Sequence, residues 1–224
     1  MSVINVLIVD DDVPTRVGLQ TILSAEPDIE VVGEASTGIE ACDLAAKLRP
    51  DIVLMDVQLP DLDGIEATRR ITAATDDGDD IRTRVVVLTT YDIDEYAYES
   101  LRAGASGFLL KRTRAEALVD AVRAVAAGDS LSMPRATERL IASVVTVEPA
   151  RHSAAFESLT DRESEVLVLA ARGLSNVEIA EELGVSIQTI KTHLKHVYMK
   201  IGARDRVQAV IAAYEHGLVT RHGV

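Results

Sequence analysis

The sequence has no tryptophan, and aromatic residues make up only 3% of it. Its cores must therefore rest on aliphatic side chains, which suit buried parallel strands and alanine-rich helices. The single cysteine, Cys42, cannot form an internal disulfide. No apolar run approaches the roughly 20 residues that span a bilayer, and the first residues lack the basic and apolar regions of a secretion signal. We therefore expect a cytoplasmic protein with no membrane partner.

Basic residues are also scarce, at 23 against 36 acidic residues, which gives a net charge of −13. The charge is unevenly distributed: residues 1–128 hold 24 acidic and 12 basic residues, whereas residues 157–224 hold 9 and 8. An acidic body repels nucleic acid, so any contact with DNA must come from a local basic face near the C-terminus.

Five short apolar runs alternate with helical patterns in the first part of the chain, which predicts an α/β domain with a doubly wound, five-stranded parallel sheet over residues 1–127. The runs cover residues 6–9, 29–32, 52–55, 85–88 and 107–110. Four residues that can cap a helix, each followed by Glu three positions later, mark expected helix starts at Thr37, Asp63, Asp92 and Thr113.

The composition changes after residue 127. Residues 128–156 are rich in Ser, Pro, Ala and Arg, which is typical of a linker, and residues 140–145 could form one short helix within it. Residues 157–224 show only helical patterns. Thr160, Ser175 and Ser186 mark three helix starts and Gly217 marks the end of a fourth helix, so we expect a second, smaller all-α domain of four helices.

Three aspartates stand where two of the expected strands end. Asp10 and Asp11 follow the first strand, and Asp56 follows the third. With the strand order 2-1-3-4-5, ligands bind beyond the carboxyl ends of strands one and three, where these aspartates would converge. Carboxylate oxygens together with phosphate oxygens are ligands that Mg²⁺ prefers. The pattern therefore predicts a Mg²⁺ site at which a carboxylate could accept a phosphoryl group.

Two further strand ends carry suitable side chains. Thr89 follows the fourth apolar run and offers a hydroxyl group, and Lys111 follows the fifth and offers a compact positive charge. Each such residue alone is more often explained as a turn or cap residue. Their joint occurrence at four strand ends, on one edge of the sheet, favours a common site.

These segments resemble the receiver domain of two-component response regulators over about residues 3–127. The matching stretches are VDD at 9–11, LMDVQLPDLDG at 54–64, LTT at 88–90 and GFLLK at 107–111. The resemblance implies that Asp56 accepts phosphate from a sensor histidine kinase, and that Thr89 and Lys111 hold the phosphoryl group. The sequence departs from the family pattern at Asp12, where relatives often have His, and at Arg112, where an acidic residue is frequent.

The same resemblance implies a metal site and a switch. Asp11, Asp56 and the backbone carbonyl of Gln58 would bind Mg²⁺, with Asp10 acting through water. Phe108 falls where the family has an aromatic residue that moves inward as the threonine engages phosphate. An ordinary core phenylalanine explains Phe108 equally well.

The third helix of the second domain has one apolar side and one polar side. At 100° per residue, one stripe carries Ile190, Leu194, Val197, Tyr198 and Ile201, whereas the opposite side carries Gln188, Lys191, Thr192, Lys195 and Met199. No acidic residue occurs between Ser186 and Lys200, which favours an anionic partner. Residues 183–186 form the short turn that a helix-turn-helix unit requires. The alternative is a small helical bundle with a solvated polar face.

Residues 157–221 resemble the LuxR-type DNA-binding domain. The matching stretches are LTDRESEVL at 159–167, GLSNVEIA at 173–180 and IKTHL at 190–194. The resemblance implies that the third helix enters the major groove of double-stranded DNA. The candidate DNA contacts are Gln188, Thr189, Lys191, Thr192 and Lys195.

The last helix has a side of small residues that could admit a second copy of the chain. The candidate dimer residues are Ala209, Ala212, Ala213 and His216. High helix propensity explains the alanines without any dimer. A homodimer would bind a promoter with two-fold-related half-sites about one helical turn apart.

Together these features predict a response regulator of the NarL/FixJ type, a phosphorylation-dependent transcriptional regulator. It would be no enzyme, although it would assist its own phosphorylation and dephosphorylation. Two alternatives stay open. One is a phosphatase resembling the haloacid dehalogenases, with Asp10 as nucleophile and Thr15 one position too far along for that motif. The other is a LuxR-type activator that senses a small molecule.

Overall fold

The computed structural model describes residues 3–74, 83–90, 94–127 and 154–219. The chain divides into two compact units, Met1–Ala127 and Gly128–Val224. The expected helix start at Asp92 and the short helix considered for residues 140–145 lie outside the described residues.

The first unit is a five-stranded parallel sheet flanked by helices, with strand order β2-β1-β3-β4-β5, which confirms the predicted topology. The strands are β1 (Ile4–Val9), β2 (Ile29–Ala35), β3 (Ile52–Asp56), β4 (Arg84–Thr89) and β5 (Gly107–Leu110). The helices are α1 (Val13–Ser24), α2 (Gly38–Leu48), α3 (Gly64–Ala74), α4 (Asp94–Arg102) and α5 (Ala115–Ala126).

The middle residues of the central strands are apolar because helices cover both faces of the sheet. Residues 6–9 of β1 and 52–55 of β3 are completely buried. Leu23 of α1 and Val122 of α5 belong to the same core cluster as alternate residues of these strands. Register brings the carboxyl ends of the strands to one edge, since Asp56 pairs with Leu88 and Thr89 with Leu110.

Two of the expected helix caps in this unit are present and one is wrong. The Thr37 hydroxyl accepts a hydrogen bond from the Glu40 amide, and the Asp63 carboxylate accepts one from the Glu66 amide. Thr113 does not cap α5, because the helix begins at Ala115 and Thr113 lies in the turn that follows β5, where its amide donates to the Leu110 carbonyl at 2.8 Å. The N-cap residue is Arg114, which makes no side-chain capping bond.

The second unit is helical throughout its described part. Its helices are α6 (Ala154–Glu157), α7 (Asp161–Ala171), α8 (Asn176–Leu183), α9 (Ile187–Ile201) and α10 (Arg206–Glu215). The last four are the helices expected from the sequence. The short α6 is additional and begins among residues interpreted as linker.

Side-chain caps define the starts of these helices. Thr160 and Ser175 each form a complete capping box, and the Ser186 hydroxyl accepts a hydrogen bond from the Thr189 amide at the start of α9. Gly184, in the turn between α8 and α9, has a φ of 63°, which glycine adopts without strain. No helix in the described part of the chain is long and apolar enough to form a membrane span.

Candidate metal centre and nucleic-acid interface

Three carboxylates meet at the carboxyl edge of the sheet. Asp10, Asp11 and Asp56 each offer an oxygen atom, and these oxygens all lie within 4.8 Å of one another. Asp10 is completely buried and Asp56 is 5% exposed, whereas Asp11 is exposed. We call these three residues the acidic cluster. The sequence pattern predicted that they lie at the carboxyl edge of the sheet, and the structure brings their side chains together.

Lys111 reaches into the acidic cluster from the end of β5. Its Nζ atom lies 2.7 Å from Oδ2 of Asp10 and 2.9 Å from Oδ2 of Asp56. Its amide donates to the Thr89 carbonyl at 2.7 Å, so the ends of β4 and β5 hold the lysine and the threonine beside each other. Thr89 is buried as well, with 4% exposure.

The pKa values of this cluster reflect burial and crowding. Burial raises the pKa of the Asp56 carboxyl, the charge of Asp10 adds to this effect, and the bond from Lys111 opposes it. Burial alone would lower the pKa of Lys111, but its contacts with Asp10 and Asp56 outweigh burial and raise it. The lysine is therefore a stable cation, yet one positive charge cannot neutralise three carboxylates.

This donor set fits a small divalent cation. Its ligand atoms are hard carboxylate oxygens, which Mg²⁺ prefers over nitrogen and sulfur donors. Oδ2 of the buried Asp10 has its ion pair with Lys111 but no aligned hydrogen bond in the part of the chain that the structure describes. The exposure of Asp11 leaves one side open to water and to phosphate.

The loop after β3 is tied closely to Asp56. The Gln58 amide hydrogen-bonds the Asp56 carboxylate, and the Gly64 amide donates to the Val57 carbonyl at 2.9 Å. A Cβ atom on Gly64 would lie 1.8 Å from the Asp56 carbonyl oxygen, so a side chain at this position would displace the phosphoacceptor candidate. The sequence analysis overlooked the importance of Gly64, although its place after Asp63 is a turn signal.

Phe108 lies on β5 opposite Val87 and is half-buried. This intermediate exposure agrees with either interpretation, the switch aromatic or an ordinary core residue. Its role therefore stays a prediction.

Asp12, the additional acid near the cluster, is a helix cap. Its carboxylate accepts hydrogen bonds from the Thr15 amide at 2.9 Å and the Thr15 hydroxyl at 2.6 Å, and these bonds lower its pKa. Both Asp12 and Thr15 are thus engaged in starting α1. In the motif considered for a phosphatase, Thr15 is therefore bonded to Asp12. The candidate nucleophile of that motif, Asp10, is completely buried.

Arg16 is a site residue that the sequence analysis missed. Its guanidinium donates to the carbonyls of Asp10 and Asp11 and pairs with Glu34. An arginine within an amphipathic helix gives no sequence signal for such contacts, because they depend on how the loop after β1 turns back over α1.

The polar side of α9 is exposed and its apolar side is buried. Ile190, Leu194 and Val197 are at most 4% exposed and pack inside the second unit. The candidate DNA contacts point away from this core: Gln188, Thr192 and Lys195 are exposed, and Thr189 and Lys191 are partly exposed. The structure thus presents all five on one helix.

Lys200, at the end of α9, is engaged within the unit. Its Nζ atom lies 2.6 Å from the Glu163 carboxylate and 3.0 Å from the Ser158 carbonyl. The hydrogen bond from Lys200, with those from the Thr160 amide and hydroxyl, lowers the pKa of Glu163 to about 2. This pair, in which Glu163 is buried and Lys200 is exposed, joins α7 to the last turn of α9 and so helps to fix the direction of the exposed face.

The prediction that Ala209, Ala212, Ala213 and His216 form a dimer face is wrong for Ala209 and Ala213, whereas Ala212 and His216 are half-buried and their part in a dimer stays a prediction. Ala209 and Ala213 are completely buried within the chain, and the ring of His216 lies 4.7 Å from that of Phe156. The small side chains let α10 pack against α7, where the Tyr214 hydroxyl donates to the Ala171 carbonyl at 3.2 Å. Ala209 and Ala213 therefore serve packing inside one chain.

Known families match both units. Residues 6–123 match the family described as response regulator receiver domain, and residues 157–213 match bacterial regulatory proteins of the luxR family. The transcriptional regulatory protein LiaR of Bacillus subtilis is 40% identical over 220 residues, covering 96% of this chain and 99% of LiaR. The response regulator VraR of Staphylococcus aureus is 39% identical over 216 residues, covering 96% of this chain and 99% of VraR.

A solved structure shows similarity over nearly the whole chain. The response regulator ChrA of a heme-sensing two-component system is 35% identical, with a TM-score of 0.52, and the match covers 98% of this chain and 100% of ChrA. RcsB of Salmonella typhimurium is 26% identical with a TM-score of 0.55 over 94% of this chain and 97% of that one.

Proposed function

Because the chain belongs to the two-component response regulators that join a receiver domain to a LuxR-type DNA-binding domain, we propose that phosphorylation of Asp56 controls its binding to promoter DNA. A sensor histidine kinase would donate the phosphoryl group, with Mg²⁺ as cofactor. The observation that carries this proposal is the meeting of Asp10, Asp11 and Asp56 within 4.8 Å, with the Lys111 cation among them.

The chemistry is an in-line transfer to a carboxylate. An oxygen of Asp56 forms a bond to phosphorus as the bond between phosphorus and the kinase imidazole nitrogen breaks. Asp11, Asp56 and the Gln58 carbonyl would hold Mg²⁺, with Asp10 acting through water, and the ion would supply positive charge to the transferring group.

Lys111 and Thr89 respond to the new group. The Lys111 ammonium, which now contacts Oδ2 of Asp56, would move its hydrogen bond to a phosphoryl oxygen. The Thr89 hydroxyl would donate to another, and Phe108 on the neighbouring strand would move inward as it does so. The protein would act as a substrate that is itself modified, not as an enzyme, and hydrolysis of the acylphosphate would reset it.

The output would be a change in DNA affinity. Gln188, Thr189, Lys191, Thr192 and Lys195 form the proposed contact surface on α9, whose Lys and Gln side chains suit base edges and phosphates in the major groove. A coupling free energy of about 1 to 3 kcal/mol between the two sites is typical of such regulation. We further propose that a homodimer binds two-fold-related half-sites, through a surface other than the buried alanines of α10.

The alternatives have less support. The match of residues 6–123 to the receiver family supports a phosphoacceptor domain rather than an N-terminal domain that senses a small molecule. A phosphatase with Asp10 as nucleophile would need that side chain to reach its substrate, and it is completely buried.

Mass spectrometry after incubation with acetyl phosphate and Mg²⁺ tests this proposal. We expect one phosphoryl group on the tryptic peptide that contains Asp56, none on D56N, and normal labelling of D12N, the control for loss of an acid beside the cluster. A label on Asp10 would favour the phosphatase, and no Mg²⁺-dependent label would refute the proposal.

A further inference from the structure

We propose that Arg16 is a positioning residue of the acidic cluster, holding the loop after β1 so that the Asp11 carboxylate is aimed at a divalent cation. This inference rests on the proposed function and assigns a task to a residue of α1 outside the phosphoryl-transfer chemistry.

The contacts of Arg16 converge on the backbone of the cluster. Nη1 donates to the Asp10 carbonyl at 2.7 Å and to the Asp11 carbonyl at 3.3 Å. Nε donates to the Glu34 carboxylate on β2 at 3.1 Å. The arginine side chain is only 14% exposed. One planar group thus joins the end of β1, the start of α1 and the neighbouring strand.

Asp11 depends on its backbone for orientation. Its side chain is exposed, and the hydrogen bond that Asp11 accepts from Arg16 reaches its backbone carbonyl, not its carboxylate. Asp10 differs, because it is buried and also accepts a hydrogen bond from the Asp12 amide at 3.0 Å. Asp11 is therefore the member of the cluster whose position is held least by its own contacts, and Arg16 binds the peptide unit that carries it.

A positioning role and a charge effect predict opposite changes in Mg²⁺ affinity when Arg16 is replaced. A cation near the cluster repels a second cation, so loss of the Arg16 charge by itself would tighten Mg²⁺ binding. The pairing with Glu34 already offsets this charge. If Arg16 acts by positioning, R16Q weakens Mg²⁺ binding, and R16K also weakens it although the charge is kept, since a lysine cannot hold the carbonyls and Glu34 in a planar fork.

Calorimetric titration of the full chain with Mg²⁺ is the first measurement. We expect Kd to rise about 10-fold in R16Q, the lower end of what loss of a supporting contact costs at metal sites, and to rise less in R16K and E34Q. The matched control is R123Q, which removes an arginine that pairs with Glu26 and Asp28 in the loop before β2, at the opposite edge of the sheet. It should leave Kd unchanged.

Hydrogen exchange of the metal-free protein is the second measurement. The Asp12 amide, bonded to Asp10, should exchange several-fold faster in R16Q and E34Q than in wild type, and at the wild-type rate in R123Q. Unchanged exchange together with an R16Q affinity equal to or tighter than wild type would overturn the role of Arg16. If wild type bound no Mg²⁺ at all, the proposed function would fail, whereas the exchange rates would still decide whether Arg16 holds the loop.

Discussion

At the scale of single residues, Lys111 balances part of the negative charge of Asp10 and Asp56. We expect K111M to destabilise the metal-free protein by about 3 kcal/mol, because it leaves buried carboxylates without their cation. Saturating Mg²⁺ should reduce this loss of unfolding free energy, since the ion replaces the missing positive charge. Urea unfolding with and without Mg²⁺ measures both values. K47M, which removes an exposed lysine of α2, should have little effect, and an equal deficit under both conditions would contradict the electrostatic account.

Glu163 gives a pH dependence at the same scale. Its pKa is lowered from 4.5 to about 2 in the folded chain, so its stabilising contribution is complete above pH 4.5 and is lost as pH falls towards 2. E163Q should therefore be less stable than wild type near neutral pH, with a difference that shrinks across this window. Amide exchange of α9 reports the opening free energy.

The control for Glu163 lies on the same helix. Glu165 is exposed and pairs with Arg162, so E165Q should stay close to wild type at every pH. A difference between E163Q and wild type that persists undiminished at pH 2 would argue against the lowered pKa.

At the scale of elements, the strands and the residues after them could be predicted because buried parallel strands are continuous apolar runs. Asp10, Asp56, Thr89 and Lys111 follow directly from where those runs end, and the sheet order then brings them together. The contacts of Arg16 could not be predicted in this way. A helix pattern shows which side faces the core, but not which loop carbonyls lie within reach of a partly buried guanidinium.

The last helix shows a second limit of sequence patterns. Ala209 and Ala213 permit close approach of any neighbour, and the sequence does not distinguish α7 of the same chain from a second chain. Thr113 likewise has the spacing of a cap, but it lies in the turn after β5 and the helix begins only at Ala115. A tertiary contact decided the first outcome, and the geometry of a local turn decided the second.

The exposed face of α9 supports a prediction about DNA binding. K195A should weaken binding to all duplex sequences alike and reduce the slope of log affinity against log salt by about 1, as expected for loss of one phosphate contact. Fluorescence anisotropy at several salt concentrations measures this slope. K47A removes a lysine from the other unit and should leave both values unchanged, whereas a K195A protein with wild-type affinity would exclude Lys195 from the interface.

At the scale of the whole molecule, the acidic first unit and the basic face of α9 have opposite electrostatic effects on DNA. Residues 1–128 carry twice as many acidic as basic residues, which suits a unit that concentrates negative charge around a divalent cation and repels DNA. Regulation therefore requires that phosphorylation of the first unit change the DNA affinity of the second.

The most direct test is the DNA affinity of wild type and D56N, each measured with and without acetyl phosphate and Mg²⁺. We expect the affinity of wild type to change by about 5- to 150-fold, the range that corresponds to typical coupling free energies, and we expect no response from D56N. An unchanged affinity in wild type, or an equal response in D56N, would contradict this expectation.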